Sequence, residues 1–178
     1  MIVDFFLPCA AFFEIITDKT ERGGASELKL DDGQDGLRFT GHVGAIQGES
    51  GPVGFALARI PFVIEPGILG GSLVIRAVES VTISVVLGVL DVRNPNPQAG
   101  NLTYSTSFVL NEGINDIRFV WNQMEAKIRG RLIPVAPALQ PEWANSFAIQ
   151  IARSQQTGPL VRAQDQVPFD FTVMKLGG

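Results

Sequence analysis

One cysteine, one histidine and one tyrosine in 178 residues close off more chemistry than the rest of the composition opens. Cys9 has no second thiol to pair with, so an internal disulfide is excluded and a reducing, cytoplasmic setting is expected. Its apolar neighbours mark it as a packing residue. With His42 as the sole imidazole, zinc held by the usual nitrogen and sulfur sets is ruled out. A Ser-His-Asp or Cys-His nucleophile is ruled out too, unless His42 itself serves. Neither a metal nor a cofactor is expected.

Charge is scarce as well. Charged residues make up 18% of the chain, 14 basic against 18 acidic for a net charge of −4, which argues against nucleic acid or another polyanion as partner. The one local basic group, Arg118, Lys127, Arg129 and Arg131, reads as a solvated strand end. Met1 to Ile16 is apolar, but Asp4 and Glu14 interrupt it and it is too short to span a bilayer, so no membrane partner is expected. Without a basic leader or an arginine-rich face it resembles neither a secretory signal nor a transit peptide.

What the chain has instead is alternation. From Leu37 to Gly177, apolar and polar residues alternate in short runs bounded by Gly, Pro and Asn, the period-two signature of half-buried strands. Strands are predicted at Ala25–Leu30, Leu37–Ile46, Val53–Phe62, Ser72–Ala77, Thr82–Val92, Leu102–Leu110, Ile114–Gln123, Ser146–Ala152 and Phe169–Leu176. Asn111 to Gly113 is tight enough for a hairpin turn. Arg131 to Trp143 holds three prolines and reads as an excursion over the surface or over an opening. One all-β domain follows, an antiparallel β-barrel or jelly-roll sandwich over 17–178, with 1–16 as an apolar lid or docking segment. Hydrophobic residues at 46% exceed the needs of a small core, and the surplus is assigned to an apolar interior cavity.

If the heavier apolar face of each strand points inward, Val53, Phe55 and Leu57 share the interior with Arg59. Tyr104 joins Leu102, Thr106, Phe108 and Leu110, while Ile117, Phe119 and Trp121 align with Gln123. Phe147, Ile149 and Ile151 face in, leaving Ser146, Ala148 and Gln150 outside. Arg59, at a strand end, either snorkels to the rim or binds a ligand oxygen at the mouth.

The order of motifs carries a resemblance. DKTERGGASELKL at Asp18 to Leu30 is followed by GLRFTGHV, GFALAR, NEGINDIRFVW, RGRLIPVAP, FAIQIA and PFDFTVMKL. This order resembles the complex I intermediate-associated protein (thirty-kilodalton) family. The resemblance implies a galactose-binding-like jelly-roll and an assembly-chaperone role. In size and apolar interior the chain is also similar to small β-barrel cyclases of polyketide pathways, a likeness of fold and not of motif.

With no nucleophile and no metal, the activity expected is a cofactor-free [4+2] cyclisation of a small hydrophobic, polyketide-like substrate shaped by a cavity. Arg59, Tyr104 and Gln123 are the candidate catalytic groups. Phe55, Leu57, Phe108, Phe119 and Trp121 are expected to line the substrate site, and Phe5 and Phe12 to close it. The alternative is a non-enzymatic assembly factor or binding module, with a homodimer as a further option. Sugar binding would want an exposed ring beside Asp or Asn, for which Trp143 near Asn145 is the candidate. A cavity of about 300 Å³ or more would favour the enzyme.

Overall fold

The computed structural model describes residues 4–5, 7–19, 24–44, 54–90, 94–96, 98, 100–156 and 166–177. Its strands, in chain order, are β1 (Asp4–Phe5), β2 (Glu14–Thr17), β3 (Glu27–Gly33), β4 (Gly36–Val43), β5 (Phe55–Pro61), β6 (Gly70–Ala77) and β7 (Val81–Val89). They continue with β8 (Leu102–Leu110), β9 (Gly113–Val120), β10 (Glu125–Ile128), β11 (Arg131–Leu132), β12 (Ala144–Ala152) and β13 (Val167–Gly177). Two antiparallel sheets result. One runs β3-β4-β13-β6-β9, with β1 added against β13; the other runs β11-β10-β8-β7-β12-β5-β2. Neither sheet closes on itself, so the architecture is the jelly-roll sandwich and not the barrel.

Alternation explains the packing. Along β7, Val81, Ile83, Val85, Leu87 and Val89 point into the sandwich, opposite Leu37, Phe39, Leu73, Ile75, Phe171 and Val173 of the other sheet. Phe39 and Phe171 stack with ring centres 4.8 Å apart. Each such side chain, fully buried, contributes roughly 1.5–3 kcal/mol of hydrophobic stabilisation. Close backbone approach seals one edge. A Cβ on Gly54 would come within van der Waals overlap of the Gly44 carbonyl, and buried Asp18 fills the space beside Gly24. The Asp18 carboxyl accepts from the Ser26 N–H at 2.9 Å and from the Ser26 hydroxyl at 3.0 Å, and that hydroxyl accepts in turn from the Gly44 N–H at 3.2 Å.

The expected strands are present with shifted ends, and the differences have physical causes. In β5 the inward residues are Ala56, Ala58 and Ile60, while Phe55, Leu57 and Arg59 point out. The small side chains face in because their neighbours on β12 are bulky: Ala58 pairs with Ile149 and Ala56 with Ile151. The strand ending in Gln123 stops at Val120, and a 3-10 turn over Trp121–Gln123 breaks the period, so Trp121 is buried and Gln123 exposed. The proline-rich excursion is there, but its first residues form β11, paired with the unforeseen β10, and Leu139 within it is buried at 1% exposure. Cys9 is exposed, because it precedes a 3-10 turn of the N-terminal segment instead of packing in a strand. Val53, Ile46, Val92 and most of the loop after Gln155 lie outside the described residues.

Candidate functional site

The residues expected to form a catalytic constellation do not surround a common space. Arg59 lies on the outer face of β5, where its guanidinium donates to the Glu14 carboxylate at 2.6 and 3.1 Å. Tyr104 is in the core, its hydroxyl donating to the Pro137 carbonyl at 2.7 Å, and burial pushes its phenol above the ordinary range. Gln123 is exposed on its turn. Phe55 and Leu57 are half-buried on the outer face of β5. Phe108, Phe119 and Trp121 do come together, with ring centres 6.1 and 5.2 Å apart, and the Trp121 indole donates to the Ile68 carbonyl at 3.1 Å. Phe5 pairs through its backbone with Leu176, and Phe12 is 69% exposed. Trp143 is buried, so it offers no ring beside Asn145.

Between the sheets there is an apolar pocket of about 190 Å³, below the size expected for a substrate cavity. None of the residues assigned to the substrate site borders it; its walls include Phe39, Leu73, Phe147 and Leu176. Among the described residues there is no group of three metal-ligating side chains and no helix long and apolar enough to cross a membrane.

The two outer faces differ sharply. On the sheet containing β4 and β13 the outward positions carry ion pairs, Arg38 with Asp170 at 2.7 Å, Arg76 with Asp35 at 2.9 Å and Lys29 with Asp31 at 2.9 Å, beside uncharged Thr40, Thr172, Val74 and Ile114. Asp170 lifts the Arg38 guanidinium further above its ordinary value, by hydrogen bond first and charge second. Such exposed pairs keep a face in water and add little stability.

On the seven-stranded sheet the described outward positions of the central strands are uncharged and mostly polar or small. They are Thr82, Ser84 and Val86 on β7, Thr103, Ser105, Ser107 and the exposed Val109 on β8, and Ser146, Ala148 and Gln150 on β12. Among the described residues of this face, charge lies at the flanks, in Arg59–Glu14 at 2.6 Å and Lys127–Glu125 at 3.4 Å. Although they point away from the core, Ser84, Ser105 and Ala148 are only 4–5% exposed, so neighbouring groups cover them. Gln155 organises its centre: its amide donates to Ser107 Oγ at 2.8 Å, and its carbonyl oxygen accepts from Ser84 Oγ at 3.0 Å. The two serine hydroxyls lie 2.9 Å apart, which closes a ring of hydrogen bonds with Ser107 as donor to Ser84. Beside it the Gln156 side chain pairs with both backbone groups of Thr82, at 3.0 and 2.7 Å, where β12 has left the strand. The signal for this face was in the sequence: the polar half of the alternation is Ser, Thr and Gln in β7, β8 and β12, and Arg, Lys and Asp in the opposite sheet.

The fold is a jelly-roll β-sandwich, and comparison with known proteins agrees on that fold. No family model and no curated protein matches the chain. Among solved structures it is similar to a family 11 carbohydrate-binding module from Clostridium thermocellum in complex with a β-1,3-1,4-mixed-linked tetrasaccharide. The two share 13% identity at a TM-score of 0.63, covering 98% of this chain and 93% of that one. It is also similar to the family 11 module of a cellulosomal cellulase of the same organism, with 11% identity, a TM-score of 0.60 and coverage of 99% and 92%.

These findings correct the functional expectation. The likeness runs to carbohydrate-binding modules and not to polyketide cyclases, and Arg59, Tyr104 and Gln123 do not share a space, so the cyclisation reading falls. The complex I intermediate-associated resemblance retains only its jelly-roll architecture.

Proposed function

We propose that the chain is a non-catalytic module that binds a carbohydrate on the outer face of the seven-stranded sheet. The observation that carries this reading is the character of that face. Among the described residues its central strands present hydroxyls and amides interspersed with Val86 and Val109 and carry no charge, on a fold shared with carbohydrate-binding modules. Sugar hydroxyls are recognised by hydroxyl and amide groups held rigidly, because a partner already oriented loses less entropy on binding. The ring formed by Gln155, Ser107 and Ser84 supplies that order while leaving lone pairs of both hydroxyls free to accept.

The ligand is accordingly a polar small molecule or oligosaccharide and not a hydrophobic one. A binder of glycans works equally well outside the cytoplasm, and a chain with one cysteine has no disulfide to lose in either compartment, so the cytoplasmic expectation is not carried forward.

Affinity electrophoresis against a panel of soluble neutral and acidic polysaccharides tests the reading. At least one glycan is expected to retard the protein. Gln150→Ala combined with Ser107→Arg should weaken that binding about tenfold or more, equivalent to about 1.4 kcal/mol. Arg118→Ala on the opposite sheet should leave it unchanged. Retardation by no glycan, or equal retardation of all variants, overturns the assignment.

A further inference from the structure

We infer that the pocket beneath the N-terminal segment is a second, separate binding site, for a compact uncharged hydrocarbon group the size of one aromatic ring or a short branched chain. The inference does not depend on the carbohydrate reading and involves no reaction.

The segment from Asp4 to Thr17 bridges the two sheets. Its first strand pairs with the end of β13, at Asp4 with Gly177, and its second pairs with β5, at Glu14 with Arg59. Midway, the Ala10 N–H donates to Asp32 Oδ1 at 2.7 Å, which pins the crossing to β3. Leu7, Pro8 and Phe13 form the underside of this strap and border the pocket, while Phe12 turns outward. The three are only half-buried, so the pocket is reached from the strap side.

The space beneath measures about 190 Å³, and no charged or hydrogen-bonding side chain lines it. No side chain there offers water a hydrogen bond, and apolar cavities of roughly 150 Å³ are known to take up benzene. Aromatic edges and faces are on offer, since Phe62 and Phe147 meet in tilted contact at 5.6 Å and Phe39 presents the rim of its stack with Phe171. A carboxylate or ammonium on the guest would enter without a counter-ion, which selects against charge.

The full chain is titrated with toluene and indole, and with benzoate as the charged analogue, following melting temperature and backbone amide shifts by NMR. Toluene and indole should raise the melting temperature and shift amides of Leu37, Phe39, Ile149 and Leu176, with benzoate at least about tenfold weaker. Ile149→Phe, which places a ring in the space, should abolish the toluene response. If toluene at its solubility limit moves neither the melting temperature nor those amides, the inference is overturned. It is overturned equally if benzoate binds as well as toluene. Should Ile149→Phe not fold, the wild-type titration alone decides.

Discussion

Tyr104 donates its phenolic hydrogen to the Pro137 carbonyl at 2.7 Å and so ties β8 to the proline-rich segment. The bond accounts for a tyrosine at 1% exposure among Leu102, Leu110 and Leu87: the ring takes part in the core and its hydroxyl is satisfied there. A group cast from sequence as catalytic is thereby a structural tie.

Because Tyr104 is the sole tyrosine, the phenolate absorbance of the whole protein reports on it alone. Burial raises its folded-state pKa, so the native chain holds the proton more tightly than the unfolded chain does. The associated stability is complete below about pH 10 and is lost as pH rises through the higher folded value. The spectrophotometric midpoint of the native protein should exceed that of the urea-unfolded protein; a midpoint at or below it contradicts the buried hydroxyl. Tyr104→Phe, which leaves the Pro137 carbonyl without this donor, should cost about 1–2 kcal/mol in urea unfolding and leave glycan binding intact.

Asp18 and Gly54 make the second prediction. Asp18→Ala strands the Ser26 N–H and hydroxyl in a buried site and should cost about 3 kcal/mol. Gly54→Ala drives a methyl into the Gly44 carbonyl and should cost about as much or prevent folding. Chemical denaturation of both variants checks this, and losses below about 1 kcal/mol in either would contradict the packing described.

The strand pattern was legible because burial of one face imposes period two wherever a strand lies in a two-layer sandwich. Tyr104, Phe108, Phe119, Phe147 and Ile149 accordingly face inward as expected. What failed was the assumption that the heavier face is the buried one. In β5 the interior was already crowded by Ile149 and Ile151, so alanines face in and Phe55, Leu57 and Arg59 are turned out. Gln123 and Cys9 were misplaced for a different reason: 3-10 turns interrupt the alternation at each. The candidate face lies in the polar half of each strand, which burial does not single out. That Ser146 and Gln150 lie outside was read correctly, but their kinship with Ser84, Ser105 and Ser107 depends on strand order, which alternation does not reveal.

Arg59 and Glu14 provide the third prediction. Their side chains are 41% and 61% exposed, so the 2.6 Å pair is screened by water and should contribute about 0.5 kcal/mol or less. Arg59→Ala should therefore change the unfolding midpoint only slightly, and not at all in about 1 M salt. A loss of several kcal/mol would mean that Arg59 has a role this surface pair does not supply.

The measurement closest to the central claim is an amide-shift map on adding the tightest soluble glycan of the panel. Shifts should concentrate on β7, β8 and β12 around Ser84, Ser107 and Gln150, leaving Arg38, Arg76 and Arg118 of the other sheet in place. Shifts gathered on the charged sheet instead, or none at all with every glycan tried, would contradict the account.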